Sequence, residues 1–331
     1  MKKLIGGLMA CLMMAALTGC GSDASDVKKE SQDVKTVGII QQLDHPALES
    51  AKEGLKNYFK DKGYDETKIK FVEKNAQGDN GTADTIAKQF VNDGVDLIYS
   101  IGTNATLSSV NATLDNQTPV VFNAVTDAVD SKILKDAEHP GGNITGVSDA
   151  APLEKQLKLI RDFLPEAKTI GMIYNTAESN GKLQVEQVEA MASKYGFTIE
   201  KTGVSLSTDV ATAAEQLASK VDCIYNITDN MVVNATASIT DKANGHKIPV
   251  FAAEDGQITA GLLASDSISY VKLGEKAGEV VEDILFNGKK PGDIAVQKSE
   301  DTVLMINKKV AEELGIKIPE ELDKRATYVG E

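Results

Sequence analysis

The residues able to do chemistry fall in six short clusters, each just after an apolar run. They are Gln42, Asp44 and His45; Gly102, Thr103 and Asn104; Thr126 and Asp127; Asn175, Glu178, Ser179 and Asn180; Thr228, Asp229 and Asn230; Glu254 and Asp255. Apart from Gly102, all carry a hydroxyl, an amide, a carboxylate or, once, an imidazole, with no lysine or arginine among them. That mixture suits a zwitterion. A ligand carboxylate needs hydroxyl and N–H donors, which Thr103 and Asn104 can offer at a helix start. A ligand ammonium needs a carboxylate, and Asp229 or Glu254 can supply it. A phosphate or sulfate would meet too much negative charge. Each candidate also has a plainer reading: Thr103, Asn104 and Asp229 as helix caps, Glu178 as a first-turn acid, His45-Pro46 and Asp255-Gly256 as turns.

Catalytic patterns are missing. The chain has no Gly-x-Ser-x-Gly elbow, no His-Glu-x-x-His, no phosphate-binding Gly-Lys loop, no cysteine pair and no dinucleotide glycine fingerprint. Its three histidines, His45, His139 and His246, lie in unrelated loops without metal-ligand spacing. The sequence therefore predicts a binding protein with no catalytic residue, metal or cofactor.

The elements that must position these clusters repeat. Val95-Asp96-Leu97-Ile98-Tyr99-Ser100-Ile101 is an apolar run of strand length ending at Gly102, and Val221-Asp222-Cys223-Ile224-Tyr225-Asn226-Ile227 nearly repeats it. Thr118-Pro119-Val120-Val121-Phe122 has its counterpart in Ile248-Pro249-Val250-Phe251, and 35–40 in 168–174. Strands alternate with helices over 47–62, 82–92, 153–163, 184–195, 210–219 and 271–285, whose apolar positions recur at helical spacing. This pattern predicts parallel sheets covered on both faces, and duplication predicts two such α/β lobes. The expected boundaries are 35–148 plus 266–297 for lobe one and 149–265 plus 298–325 for lobe two, joined by a three-strand hinge. Ligands of open parallel sheets bind beyond the carboxyl ends of the strands, which places the clusters on facing walls of one cleft.

At 331 residues the chain is long enough for two cores. A net charge of −14 disfavours nucleic acid and anionic lipid surfaces. Met1-Lys2-Lys3 followed by the apolar stretch Leu4 to Leu17 and Leu17-Thr18-Gly19-Cys20 reads as a signal peptide over 1–19, with Cys20 as the lipidation site. Residues 20–34 read as a polar, flexible tether. Once Cys11 leaves with the signal and Cys20 carries lipid, Cys223 stands alone in an apolar strand, so no internal disulfide is expected.

Several phrases together resemble a known family: His-Pro-Ala-Leu (45–48), Asp-Leu-Ile-Tyr-Ser-Ile-Gly-Thr-Asn-Ala-Thr (96–106), Pro-Val-Val-Phe-Asn-Ala-Val-Thr-Asp (119–127), Gly-Met-Ile-Tyr-Asn-Thr-Ala-Glu-Ser-Asn (171–180) and Gly-Leu-Leu-Ala-Ser-Asp-Ser-Ile-Ser-Tyr (261–270). Over about residues 35–325 the chain resembles the tryptophan/tyrosine-binding group of ABC-transporter substrate-binding lipoproteins. The resemblance implies a type I periplasmic-binding-protein fold. It also implies a monomer anchored on the outer face of the cell membrane, which captures an aromatic amino acid (Trp, Tyr or Phe) for an ABC permease. It implies that Thr103, Asn104, Thr126, Asp127, Asn175, Ser179, Asn180, Asp229 and Glu254 line the cleft. No aromatic residue stands in these loops to stack on the ligand. A branched-chain amino acid, a small peptide, or use of the same core as a ligand sensor are the competing expectations.

Overall fold

The structure is a computed structural model that describes residues 34–299 and 301–330. The proposed signal peptide, Cys11, Cys20 and all but Val34 of the expected tether lie outside the described residues.

Lobe one is built from β1 (Lys35–Gln41), α1 (Pro46–Asp61), β2 (Ile69–Asn75), α2 (Asn80–Asn92), β3 (Leu97–Ile101), α3 (Thr103–Ala112), β4 (Val120–Val125) and β5 (Ile144–Ser148). Its sheet is parallel throughout, in the order β2-β1-β3-β4-β5. Lobe two follows with α4 (Leu153–Phe163), β6 (Thr169–Asn175), α5 (Ser179–Ala192), β7 (Thr198–Val204), α6 (Val210–Ala218), β8 (Cys223–Asn226), α7 (Asn230–Asn234), α8 (Thr236–Gly245), β9 (Val250–Ala252) and β10 (Ala264–Ile268). The chain then returns to lobe one as α9 (Tyr270–Leu285) and ends in lobe two with β11 (Thr302–Asn307), α10 (Lys308–Leu314), α11 (Glu320–Asp323) and β12 (Thr327–Val329). The second sheet runs β12-β11-β10-β9-β8-β6-β7, so its β7-β6-β8-β9-β10 portion repeats the order of the first sheet.

The repeated Val-Asp pairs explain their own recurrence. Asp96 accepts from the Thr36 backbone N–H at 2.8 Å and from Lys35 Nζ at 3.0 Å. Asp222 accepts from the Lys168 and Thr169 backbone N–H groups at 2.7 and 2.8 Å. In each lobe the aspartate just ahead of the third strand ties down the start of the first. The tyrosines three residues on, Tyr99 and Tyr225, are fully buried core, each with its hydroxyl hydrogen-bonded: Asn123 Nδ2 donates to Tyr99 at 2.6 Å, and Tyr225 donates to Gln156 Oε1. Leaving such a hydroxyl unpaired in the core would cost more than the bond itself contributes. Cys223 is a free, buried thiol, and burial pushes its pKa up, so it is an inert packing residue.

Helix α9 packs on α1 through glycines. A Cβ on Gly54 would lie 2.1 Å from the Val271 carbonyl oxygen, and one on Gly274 would lie 2.2 Å from that of Ala51. This contact fixes the return of the chain to lobe one.

Three features differ from the sequence reading. The Gly-rich run 141–147, where the sequence suggests the first crossover between lobes, instead contributes residues 144–147 to β5. Residues 266–268, assigned to lobe one, complete β10 in the second sheet, where they pair antiparallel with β11. The switch of lobe therefore falls at Ser269, and the second sheet is mixed. Helix α5 begins at Ser179 rather than near 184, with Glu178 at its cap position but making no side-chain cap bond.

Candidate functional site

Parallel register delivers the carboxyl ends of β1, β3 and β4 to one edge of the first sheet and those of β6, β8 and β9 to one edge of the second. In lobe one, Gln42 follows β1 and is buried, with a side-chain oxygen that has no hydrogen-bond partner. It lies against Gly102, where an added Cβ would come within 2.9 Å of Gln42 Cβ and where φ is +99°. Glycine fits that backbone and that gap; a larger residue would strain both. Gly102, not Thr103 or Asn104, holds the cap position of α3, and no side chain caps the helix. The expected capping by those two side chains is not made. Thr103 is buried, and half-buried Asn104 donates to Asn80 Oδ1 at 3.1 Å. The first N–H groups of α3 therefore face the cleft edge with the positive end of the helix behind them.

Thr126 is placed by a strained turn. Ala124 has φ +54°, the register between β4 and β5 slips after Phe122, and Asn123 Oδ1 accepts from the Ala124 N–H at 2.7 Å. Thr126 is buried, whereas the Asp127 carboxylate accepts from the backbone N–H groups of Val129 and Asp130 at 2.9 and 3.0 Å and anchors a turn.

In lobe two, Glu178 is a hub. Its two oxygens accept from Asn175 Nδ2 at 3.1 Å, Asn180 Nδ2 at 3.4 Å, Asn230 Nδ2 at 2.6 Å, and the backbone N–H groups of Asn230 and Met231 at 3.1 and 3.3 Å. Asp229 is fully buried, and both its oxygens are engaged: one accepts from the Asn175 N–H at 2.6 Å, the other from the Val232 N–H at 3.1 Å, capping α7. Burial, with the nearby Glu178 charge, pushes its carboxyl well above the usual range. Asn180 is buried and donates to the Thr228 carbonyl at 2.8 Å, with its own side-chain oxygen unpartnered. Ser179 is exposed on the rim.

The two walls touch. His45 Nε2 lies 3.1 Å from Asn230 Oδ1. Because the Asn230 amide nitrogen already donates to Glu178, its oxygen faces the imidazole, so Nε2–H is the donor and the buried Nδ1 is left as an unpartnered acceptor. Burial lowers the imidazole pKa, which keeps it neutral. Gly256 abuts Pro46 and Ala47 on the same side. On the other side Asp130 and Ser131 share a crevice with Ser179 and Lys182.

Between the walls, at the hinge, lies a group that the sequence reading only half identified. Glu254 is 3% exposed and Asp149 5% exposed, and Glu254 Oε2 and Asp149 Oδ1 are both buried without a partner. Tyr270, the first residue of α9, donates to Asp149 Oδ2 at 2.7 Å. Burial raises the pKa of both carboxyls, and Asp149 adds to the rise at Glu254. Asp255 next door is raised to about 6, also by burial. Among the described residues no lysine, arginine or histidine pairs with Asp149 or Glu254. Asp149 and Tyr270 were missed because they sit in the crossovers, where the sequence announces a hinge and nothing more.

The sequence profile described as ABC transporter substrate binding protein matches residues 36–329. The chain is also 40% identical over 314 residues to the tyrosine-binding protein of Clostridioides difficile, covering 92% of this chain and 90% of the relative. The chain belongs to the ABC-transporter substrate-binding protein family. The family is one of solute receptors, not enzymes, and its fold is the two-lobed α/β architecture expected from the duplication. Among solved structures, the ABC domain of Streptococcus pneumoniae in complex with L-Trp matches with a TM-score of 0.86 at 35% identity, covering 89% of this chain and 99% of that one. A ligand-free, open structure of a substrate-binding protein with adhesive properties from Clostridium difficile matches over the same shares at 38% identity, but with a TM-score of 0.69. Similar identity with a lower score for the open form agrees with the direct contacts between walls: this substrate-binding protein is in a closed arrangement.

Proposed function

We propose that this substrate-binding protein captures a free aromatic amino acid between its lobes and presents it to an ABC permease on the outer face of the membrane, with Cys20 carrying the lipid anchor. The observation that carries the ligand class is the pair of buried carboxyls, Asp149 and Glu254, each with an unpartnered oxygen and neither facing a cation. An uncompensated buried carboxylate is costly, and a ligand ammonium is the compensation such a pair lacks. The uncapped N-terminus of α3, with Thr103 and Thr126 beside it, suits the ligand carboxylate. In this reading Gln42, His45, Asn104 and Asn180 complete the lining from their buried or rim positions. Asp229, Glu178 and Asn175 shape the lobe-two wall from behind, so the ammonium role goes to Glu254 rather than Asp229. The names of the relatives, one tyrosine-binding and one solved with L-Trp, support an aromatic side chain.

A thermal-shift screen of the chain from Gly21 onward against amino acids and sugars tests this. A ligand at one hundred times its dissociation constant adds about 2.7 kcal/mol of stability. Tyr, Trp or Phe should raise the melting temperature. If all three leave it unmoved while a branched-chain amino acid, a peptide or a sugar raises it, the ligand assignment fails. Loss of membrane association on Cys20→Ala tests the anchor.

A further inference from the structure

The hinge carboxyls have a consequence for how the ligand is held. We propose that Asp149 and Glu254 form one cation subsite that holds a single shared proton when the cleft is empty and exchanges it for the ligand ammonium. This rests on the amino acid reading above and adds a specificity-determining residue, Asp149, and a proton to it.

The geometry is that of a pair. Asp149 comes from the first crossover and Glu254 from the loop after β9, and the Tyr270 side chain from the second crossover lies against both. Tyr270 donates to Asp149 Oδ2, and Tyr270 and Gln257 also lie against Glu254, while Asp149 Oδ1 and Glu254 Oε2 are left without a partner. The other titratable groups packed round the pair are Asp255, on the same loop, and Tyr225, on β8, whose hydroxyl is engaged by Gln156. His45, whose nearby charges are Glu178 and Glu49 rather than this pair, is neutral. None of these supplies a positive charge. Two buried like charges cannot both be maintained there, so the empty pair keeps one proton and a net charge of −1. When an ammonium enters, it stabilises both carboxylates, and the proton leaves to solvent. Two carboxylates and one ammonium again sum to −1, so the buried charge is unchanged by the exchange.

Three consequences follow from linkage. Binding releases about one proton. Affinity rises with pH, about tenfold per unit, over the range in which the empty pair is protonated and the filled pair is not. A deaminated analogue, which brings no cation, displaces no proton and gains nothing from raised pH.

The test is calorimetry on the full chain in detergent with L-tyrosine and with 3-(4-hydroxyphenyl)propionate. Titrations at one pH in phosphate and in Tris, which differ in ionisation enthalpy, count the protons, and a pH series from 5 to 8 gives the slope. The expected result is close to one proton released for L-tyrosine and none for the analogue. Glu254→Gln and Asp149→Asn should each reduce the release below one half and flatten the slope. The wild-type proton count needs no variant, so a misfolded variant does not remove the test. Tight L-tyrosine binding with no proton release and a flat pH series would overturn the exchange and leave the amino acid reading standing. A slope that survives both variants and vanishes in His45→Asn would also overturn it, by moving the proton to the imidazole. No binding of any aromatic amino acid at any pH would instead remove the functional reading, and the exchange with it.

Discussion

Replacing Asp229 separates a residue that touches the ligand from one that shapes the wall. Its two oxygens accept from the backbone N–H groups of Asn175 and Val232, one joining α7 to the end of β6 and the other capping α7 itself. Asp229→Ala would leave both donors buried and unpaired. A buried donor left unpaired costs about 1–3 kcal/mol, and loss of a helix cap alone costs about 0.5–2 kcal/mol. The cap loss is already counted in one of the two donors, so the total is about 2–6 kcal/mol. Chemical denaturation should show the midpoint falling with little change in slope. Dissociation constants for L-tyrosine and its deaminated analogue, measured where the variant remains folded, should change by the same factor. Asp229→Asn should fall between the two, because one amide oxygen can still accept while its NH2 meets a donor. An unchanged midpoint with selective loss of L-tyrosine would refute this reasoning and return Asp229 to the ammonium.

His45→Ala removes the hydrogen bond that bridges the walls, worth about 0.5–1.5 kcal/mol; stopped-flow release should be about 2–10-fold faster, and an unchanged rate would show that the contact does not hold the closed form. Gly102→Ala should cost about 1–3 kcal/mol through its φ of +99° and the approach to Gln42; a melting temperature equal to wild type would count against the strain. As pH rises above the unfolded carboxyl range, Asp149 and Glu254 should withdraw stability from the ligand-free protein, against an opposite contribution from His45, whose lowered pKa adds stability over the same rise. Asp149 and Glu254 hold folded-state pKa values above their unfolded ones, so their contribution is complete below the unfolded carboxyl range and is lost as pH climbs through the raised values. Glu254→Gln should flatten that dependence, and an equally steep curve would exclude the pair as its source.

Much of this was legible from residue order. The Val-Asp repeat announced two equivalent lobes because the aspartate does the same work twice, and strand-length apolar runs ending at Gly102, Asn175 and Glu254 marked the edges where loops gather. What could not be read was the allocation of hydrogen bonds. Glu178, Asp229 and Glu254 are all acids just beyond the carboxyl ends of strands. Only the packed structure shows that the first two are saturated by donors from their own lobe while Glu254 is not. Asp149 and Tyr270 were hidden differently: a residue in a crossover has no periodicity to reveal which way it faces. The second-sheet boundary moved by a few residues because β10 finds its partner in β11, which lies more than thirty residues ahead in the chain.

Duplication also explains why the cleft has a polarity. The equivalent positions after β3 and β8 began as the same turn and now do opposite things. After β3, Gly102 enters α3 with no side-chain cap, so the helix presents its N–H groups to the cleft. After β8, one residue further on in the repeat, Asp229 caps α7 by accepting from the Val232 N–H, while Glu178 accepts from the Asn230 and Met231 N–H groups, so that end of α7 is closed to any anion. One lobe is thereby left to attract a carboxylate and the other is barred from doing so. The acids with unpartnered oxygens lie beside the hinge, Asp149 on the first crossover and Glu254 on the lobe-two loop after β9. A zwitterion between the walls can then satisfy α3 at one end and the hinge at the other in one orientation only. An ammonium bound between Asp149 and Glu254 would join the first crossover to the lobe-two loop after β9. A ligand lacking either charge would leave one of these two ends unsatisfied and would gain less from closure.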